Sequence, residues 1–319
     1  MVAAIRGRGF WRALKSWIDS DTHLDAKHSA PETIDWLRIL PFIGMHLACF
    51  AVVWVGWSPV AVGVAAALYV IRLLAITGFY HRYFSHRTFQ TSRLVQFLFA
   101  LLGASAVQRG PLWWASHHRH HHANSDQAPD AHSPHQHGFL WSHTGWFLSR
   151  ANFHTRAQLV GDLAKYPELR FLDRFDSLVP FVLAVLLFLA GELLALYAPS
   201  LGVTGGQLLI WGFFISTVAL FHVTFTVNSL AHRFGKRRYA TSDESRNNVW
   251  LALLTFGEGW HNNHHHYPRS ARQGFFWWEI DLTFYFLRFL EAIGLVWDLR
   301  PVPIPIRDSL RRTAGEGDQ

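Results

Sequence analysis

The sequence predicts an all-α integral membrane protein with four transmembrane helices in two hairpins. A cytosolic helical cap is expected to carry a polyhistidine site for two metal ions. Three observations support this fold class. Half of the 319 residues are hydrophobic and they are grouped into long runs, as membrane spans require. The two short connections between paired runs contain no Lys or Arg, and the histidines are concentrated in three clusters.

The apolar runs define the order of segments along the chain. Residues 1–38 are mixed and charged, and we expect them to form a cytosolic arm. The predicted spans are residues 39–57, 60–80, 178–198 and 208–227 of a membrane domain covering residues 39–300. The cap is assigned to residues 81–177 and 228–300, and a C-terminal tail to residues 301–319. The apolar stretch at 94–107 is too short for a span and predicts a buried or interfacial helix.

Charge gives the orientation. Because the two hairpin loops have no basic residue, both termini and the cap are expected in the cytoplasm, across the inner membrane if the chain is bacterial. The net charge of +7 is explained by the same cytoplasmic placement of basic residues.

Other functions and site types are disfavoured by composition. No basic-aromatic or zinc-finger pattern indicates a nucleic-acid partner. The single cysteine, Cys49, excludes a disulfide framework and a cysteine-ligated metal site. Arg72 interrupts the second span and is interpreted as a structural arginine facing away from His81.

The histidine clusters indicate one polynuclear metal site. They contain His81 and His86; His117, His118, His120, His121 and His122; and His261, His264, His265 and His266. Imidazole suits iron, zinc, copper and nickel, and spacings of three to five residues place two rings on one helical face. A disordered histidine-rich tract is the alternative, but apolar sequence flanks every cluster. In the second cluster, spacing alone permits either the set His117, His120, His121 or the set His118, His121, His122.

The ordered set of motifs resembles the membrane fatty acyl desaturases, and the acyl-CoA Δ9 branch most closely. The matching strings are residues 81–87, 114–122, 138–146, 228–235 and 257–265. The resemblance implies nine metal ligands: His81, His86, His118, His121, His122, His232, His261, His264 and His265. It selects the His118 set through the preceding Trp-Ala and the following Arg. It also implies that Asn228 reaches one metal through water.

The resemblance implies a reaction as well. Two iron ions would activate O₂ and introduce a cis double bond at position 9 of a saturated acyl chain carried on CoA. Electrons would come from a separate cytochrome b5, ferredoxin or rubredoxin with its reductase, because the chain contains no His-Pro-Gly-Gly motif. One departure concerns the carrier: acyl-CoA members have Arg-Asp where this chain has Ser116-His117, and a tunnel-mouth Asn where it has Arg109. An acyl-lipid or an acyl carrier protein therefore remains an alternative substrate.

Two other functions stay open at this stage. A related membrane hydroxylase or alkane monooxygenase would use a similar histidine set. A transition-metal transporter belongs to a different class, but transporters place ligands within their spans. Only His46 and His222 fall inside the predicted spans.

Further residues are assigned around the metals. By resemblance, Gln108, Trp114 and Thr224 shape a kink in an acyl tunnel. From helical periodicity, Thr77, Leu73 and Tyr69 lie four, eight and twelve residues before His81 on nearly one stripe, so they are expected to line the tunnel towards its floor. Asp130 and Glu258 are predicted to accept hydrogen bonds from the outer nitrogens of ligating histidines.

Overall fold

A computed structural model describes residues 11, 14–20 and 32–309, and helices dominate this part of the chain. In chain order the helices are α1 (Leu40–Val55), α2 (Pro59–Ser85), α3 (Arg93–Ala104), α4 (Pro111–Asn124), α5 (Pro134–His137), α6 (Gly161–Ala164), α7 (Pro167–Arg174), α8 (Leu178–Tyr197), α9 (Gly205–Ser229), α10 (Val249–Leu254), α11 (His261–His266), α12 (Leu282–Ala292) and α13 (Ile304–Asp308). Short 3₁₀ turns occur at Trp146–Leu148, Arg150–Asn152, Ala157–Leu159 and Pro199–Leu201. Two short strands, β1 (Gln90–Thr91) and β2 (Val296–Trp297), pair antiparallel with Gln90 opposite Trp297.

Three helices, α2, α8 and α9, are long and apolar enough to cross a membrane. The first predicted span corresponds to α1, which is shorter and is interrupted by a turn at residues 50–51. The fourth span therefore remains a prediction. The stretch expected to be a buried or interfacial helix forms α3.

Helix α2 changes its winding before it reaches the histidines. Its start is set by Pro59 in the first turn and by Ser58, whose hydroxyl accepts a hydrogen bond from the Ala61 N–H. From Ala75 to Ser85 the helix is π-type, with hydrogen bonds between residues i and i+5. Each residue in a π-helix turns less than the 100° of an α-helix. Side-chain directions along α2 consequently change at Ala75.

Arg72 joins two of the apolar helices. Its guanidinium is buried and donates hydrogen bonds to Thr217 Oγ1 at 2.6 Å and to the Ser216 hydroxyl. Its Nε also donates to the Leu68 carbonyl at 3.1 Å. These partners satisfy an arginine that would otherwise be costly within an apolar layer, and they tie α2 to α9.

The main hydrophobic core lies where α2 meets α3 and α4. The rings of Phe79 and Phe99 stack with their centroids 3.5 Å apart. Gly103 allows α3 to approach because a Cβ there would lie 2.0 Å from the Tyr80 ring. This packing holds the π segment of α2, which carries His81, against the helix that carries the second histidine cluster.

Both ends of the described chain contact the cap. In the predicted C-terminal tail, α13 packs against the cap: Tyr239 donates to the Arg307 carbonyl at 2.7 Å and His266 to the Ile306 carbonyl at 2.9 Å. Most of the predicted N-terminal arm and residues 310–319 lie outside the described residues. Within the arm, Asp19 forms an ion pair with Arg174 at 2.8 Å.

Candidate metal centre

The structure brings all nine predicted histidines together from five parts of the chain. They come from the end of α2 and the turn after it, from α4, from the turn after α9, and from α11. They form two groups. The five-histidine group contains His81, His86, His118, His122 and His264, and the four-histidine group contains His121, His232, His261 and His265. The ligand atoms within each group all lie within 4.8 Å of one another.

The inner ring nitrogens converge in both groups. In the five-histidine group the Nε2 atoms of His81 and His264 are 3.0 Å apart, and those of His86 and His118 are 2.7 Å apart. In the four-histidine group, the Nε2 atoms of His232 and His261 are 3.0 Å apart. Such separations suit neighbouring imidazoles on one transition-metal ion, since metal–nitrogen bonds are about 2.0–2.1 Å long.

Two of the nine histidines direct their outer ring nitrogen at a predicted carboxylate. His121 Nδ1 is 3.0 Å from Asp130, and His81 Nδ1 contacts Glu258. A histidine that donates one N–H to a carboxylate has its other nitrogen oriented and made more basic for a metal. In these two rings the contact leaves Nε2 as the nitrogen that faces the other histidines.

Two further carboxylates contact metal-site histidines but were not predicted from the sequence. Asp126 Oδ2 is 2.8 Å from His232 Nδ1, and Asp243 Oδ2 is 2.6 Å from His265 Nδ1. Asp126 lies four residues after His122, and this proximity was an available signal. Asp243 lies in a polar loop far from any histidine cluster, so only folding reveals its role.

Glu258 is held in place by ion pairs and a hydrogen bond in addition to its contact with His81. Arg82, which is buried, is 3.1 Å from Glu258 Oε1 and 2.9 Å from Asp281 Oδ1. Gln273 donates to Glu258 Oε2 at 3.1 Å. Glu258 is therefore held in place on both oxygens while it accepts the His81 proton.

Burial keeps most of these imidazoles neutral. It is the largest cause that lowers the pKa of His86, His118, His122, His261 and His264 well below 6.5, and neighbouring imidazoles lower it further. Neutral imidazole is the form that binds a metal ion. The clusters are therefore ready to accept a metal at neutral pH.

The carboxylates are correspondingly kept charged. Burial raises the pKa of Asp126 and Asp130, but their hydrogen bonds and the charges of His232 and His121 outweigh it and hold both pKa values far below the usual range. Burial lowers the pKa of His121, yet the charge and hydrogen bond of Asp130 outweigh it and raise that pKa. These carboxylates place negative charge around a centre that would contain cations.

A buried ring nitrogen of His265 indicates that the four-histidine group can bind a further atom. Among the described residues, His265 Nε2 has no hydrogen-bond partner although it is buried and faces the four-histidine group. An unpaired buried nitrogen is costly unless something binds it. With nitrogen donors only and no thiolate, the donor set fits iron or another imidazole-binding transition metal.

The structure also distinguishes between the two sets of three histidines that spacing permits in the second cluster. His117 Nε2 donates a hydrogen bond to the His154 carbonyl at 2.9 Å, and its ring contacts that of Trp113 in a tilted arrangement. Neither His117 nor His120 belongs to either histidine group, whereas His118, His121 and His122 do.

The remaining cap histidines have other contacts. His132 forms a third potential metal-binding group with His121 and Asp130. His135 is 2.9 Å from the His232 carbonyl, and His137 is 3.1 Å from the Asp130 carbonyl. These contacts support the segments that carry the predicted ligands.

A cavity of about 520 Å³ leads away from the histidines between α1, α2 and α9. Its lining is mainly apolar, and it includes histidines from three of the five histidine-bearing segments. Of the predicted tunnel residues, Gln108, Trp114, Thr224 and Thr77 line it, and so does Asn228. Gln108 Nε2 donates to Thr224 Oγ1 at 2.8 Å.

Leu73 and Tyr69 are not among the residues that line this cavity: Leu73 is fully buried in the main core and Tyr69 packs against that core. The π segment that starts at Ala75 changes the angle between them and His81, and their place at the floor of an acyl tunnel remains a prediction. Ile76 and Phe213 line the cavity instead.

The positions that depart from the acyl-CoA pattern have internal partners. The Ser116 hydroxyl is buried, donates to the Trp113 carbonyl at 2.9 Å and accepts from the Arg156 N–H at 3.1 Å. His117 is also buried. His117 contributes to the lining of the cavity, and Ser116 does not.

Comparison with other proteins agrees with the geometry. A model of the fatty acid desaturase family matches residues 28–298. The chain belongs to the fatty acid desaturase family, whose members are oxidoreductases of lipid metabolism.

Its relatives act on different acyl carriers. The chain is 38% identical over 275 residues to an sn-1 stearoyl-lipid 9-desaturase of Anabaena variabilis, covering 85% of this chain and 96% of that protein. It is 39% identical to a palmitoyl-monogalactosyldiacylglycerol delta-7 desaturase of Arabidopsis thaliana, over 84% of this chain and 70% of that one. It is 37% identical to an acyl-CoA C20 Delta5-desaturase of Anemone leveillei, over 83% and 82%. Desaturation is common to these relatives, and bond position and carrier vary among them.

Proposed function

We propose that this protein is an O₂-dependent di-iron desaturase that introduces a cis double bond at position 9 of a saturated acyl chain. The observation that carries the proposal is the pair of histidine groups at the end of an apolar cavity. The balanced reaction is acyl chain + O₂ + 2 e⁻ + 2 H⁺ giving cis-alkene + 2 H₂O. The irons supply the oxidant that breaks two unactivated C–H bonds.

The nine histidines are proposed to hold one iron in each group, with Asn228 completing the four-histidine site through a water molecule. Asp126, Asp130, Asp243 and Glu258 keep the outer nitrogens protonated and the rings oriented. Among the described residues, neither the five-histidine nor the four-histidine group contains a carboxylate, unlike the metal sites of soluble di-iron bundles.

The cavity is proposed to select the bond. It excludes water and restricts the acyl chain to a path beside the histidines. The Thr224 hydroxyl accepts from Gln108 and donates to the Leu220 carbonyl at 3.0 Å, so this wall is held in one shape. Trp114, stacked on His118 at 5.1 Å, places an aromatic surface next to the five-histidine group.

For the carrier we propose a membrane glycerolipid in preference to CoA. The buried, internally bonded Ser116 and His117 support this choice, because the acyl-CoA Δ9 branch that the sequence resembles has Arg-Asp at these positions. The similarity to lipid desaturases agrees with it. We further propose four spans with both termini in the cytoplasm, and a separate electron donor with its reductase.

The test is lipid analysis of a host that makes no monounsaturated fatty acids and expresses this chain. The expected result is cis-Δ9 monoenes, abolished by His122→Ala. His120→Ala is the matched control because His120 is on the same helix but outside both histidine groups, and it should retain product. Hydroxylated chains, or metal uptake without lipid change, would overturn the proposal.

The carrier is tested separately with purified enzyme, a reconstituted electron donor, and either stearoyl glycerolipid in vesicles or stearoyl-CoA. Conversion of the lipid alone is expected. Conversion of the CoA ester alone would reject the glycerolipid while leaving the desaturase assignment intact.

A further inference from the structure

A separate histidine cluster, between α1, α9 and the cap, lies outside both histidine groups. It contains His46, His222 and His143. The Nε2 atoms of His46 and His222 are 3.2 Å apart, and His222 Nδ1 is 3.1 Å from His143 Nε2. This cluster plays no part in the proposed desaturase reaction.

Both ends of the cluster terminate at backbone carbonyls. At one end, His46 Nδ1 is 2.8 Å from the Phe42 carbonyl oxygen. At the other, His143 Nδ1 is 3.0 Å from Ser229 Oγ, and that hydroxyl donates to the Phe225 carbonyl at 3.0 Å. A carbonyl can only accept a hydrogen bond, so protons must be directed towards both ends.

Counting protons shows that the neutral cluster lacks one. Five contacts join the two carbonyls, and each needs one hydrogen. Three neutral imidazoles and one hydroxyl supply only four hydrogens.

The donors can then be assigned one by one. If Ser229 donates to Phe225, then His143 donates to Ser229 and His222 donates to His143. His46 must likewise donate to Phe42. The two facing Nε2 atoms of His46 and His222 are then both without hydrogen, and their lone pairs oppose each other.

A cation between those two nitrogens removes the conflict. A metal ion fits the distance: two imidazoles bound at about 2.0–2.1 Å with tetrahedral geometry have nitrogens about 3.3 Å apart. The other nitrogen of each ring donates to a fixed acceptor, as in metal-ligating histidines.

We propose that His46 and His222 bind one divalent transition-metal ion between their Nε2 atoms, with His143 orienting His222. The His222 side chain is exposed and that of His46 is partly exposed. Because both lie in proposed spans, the ion would approach from the cap side, where His143 contacts His222. His222 lies seven residues before the end of α9, about 10 Å along the helix. The site joins α1 to α9 and leaves coordination positions for water.

The test uses the purified iron-loaded enzyme in lipid nanodiscs with low micromolar free Zn²⁺. Total bound metal, iron plus zinc, is counted per chain, because zinc can replace iron in histidine sites. The wild type should bind one ion more than His46→Gln, His222→Gln and the double variant, which should all bind equally. Cys49→Ala, on the same helix, should match the wild type. Zn²⁺ should raise the Tm of the wild type and of Cys49→Ala only.

Equal metal content in the wild type and the two glutamine variants would overturn the proposal, and so would a double variant that loses two ions. Desaturase activity is measured on the same samples without added zinc. Its absence in the wild type would count against the proposed function alone, because the count of bound zinc does not depend on turnover.

Discussion

The Gln108 side-chain amide donates a hydrogen bond to the Thr224 hydroxyl at 2.8 Å, joining segments 116 residues apart in the cavity wall. This bond holds the end of the loop before α4 against α9. Because both residues line the cavity, their contact determines its local shape.

We therefore expect Thr224→Val and Gln108→Leu to broaden the positions at which the double bond is introduced. A hydrogen bond of this kind contributes about 1 kcal/mol, so the ratio of product at the preferred position to product at other positions should fall about fivefold. Product positions are measured by mass spectrometry of derivatised monoenes. In the double variant the loss should be no greater than in the worse single variant; strict additivity would show that the two residues act separately.

Asp126→Asn should weaken iron binding about 10- to 100-fold, since Asp126 orients His232 and such carboxylates commonly have effects of this size. Iron affinity is measured by competition with a chelator. Glu244→Gln is the control, because the Glu244 side chain is substantially exposed and bonds to arginines rather than to a histidine. Similar affinities in Asp126→Asn and the control would show that Asp126 does not orient His232.

Removal of the metal should lower thermal stability. The two groups collect imidazoles from five segments, and a ligand that binds only the folded state stabilises it by mass action. The Tm should fall on treatment with an iron chelator and recover when ferrous iron is added back. His122→Ala should start with a lower Tm and respond less to the chelator. An unchanged wild-type Tm would mean that the folded site is stable without metal.

The different positions of Leu73 and Phe213 relative to the cavity give a paired prediction about acyl-chain length. Phe213 lines the cavity and lies sixteen residues before the end of α9, so Phe213→Ala should extend the cavity and favour longer acyl chains. Leu73→Ala should leave the chain-length profile unchanged while lowering stability by about 2–5 kcal/mol, because Leu73 is a fully buried core residue. Product chain lengths and thermal unfolding separate the two effects. A shift towards longer products in Leu73→Ala would place it in the tunnel.

The sequence alone was informative where chemistry is local. Apolar runs predicted the three helices that are long enough to cross a membrane, and the spacing within each histidine cluster predicted that its rings would share a face. The charge-free hairpin loops predicted an orientation that stays a prediction. The resemblance then selected His118 over His117, and the structure places only His118 within a histidine group.

Tertiary structure decided the rest. The division into groups of five and four, and the pairing of Asp126 with His232 and of Asp243 with His265, join residues far apart in sequence. No local periodicity encodes such pairings, because they arise from packing between helices. The π segment of α2 is a second reason: the change of winding at Ala75 alters the angle between Leu73 and His81, and the α-helical rule did not predict it.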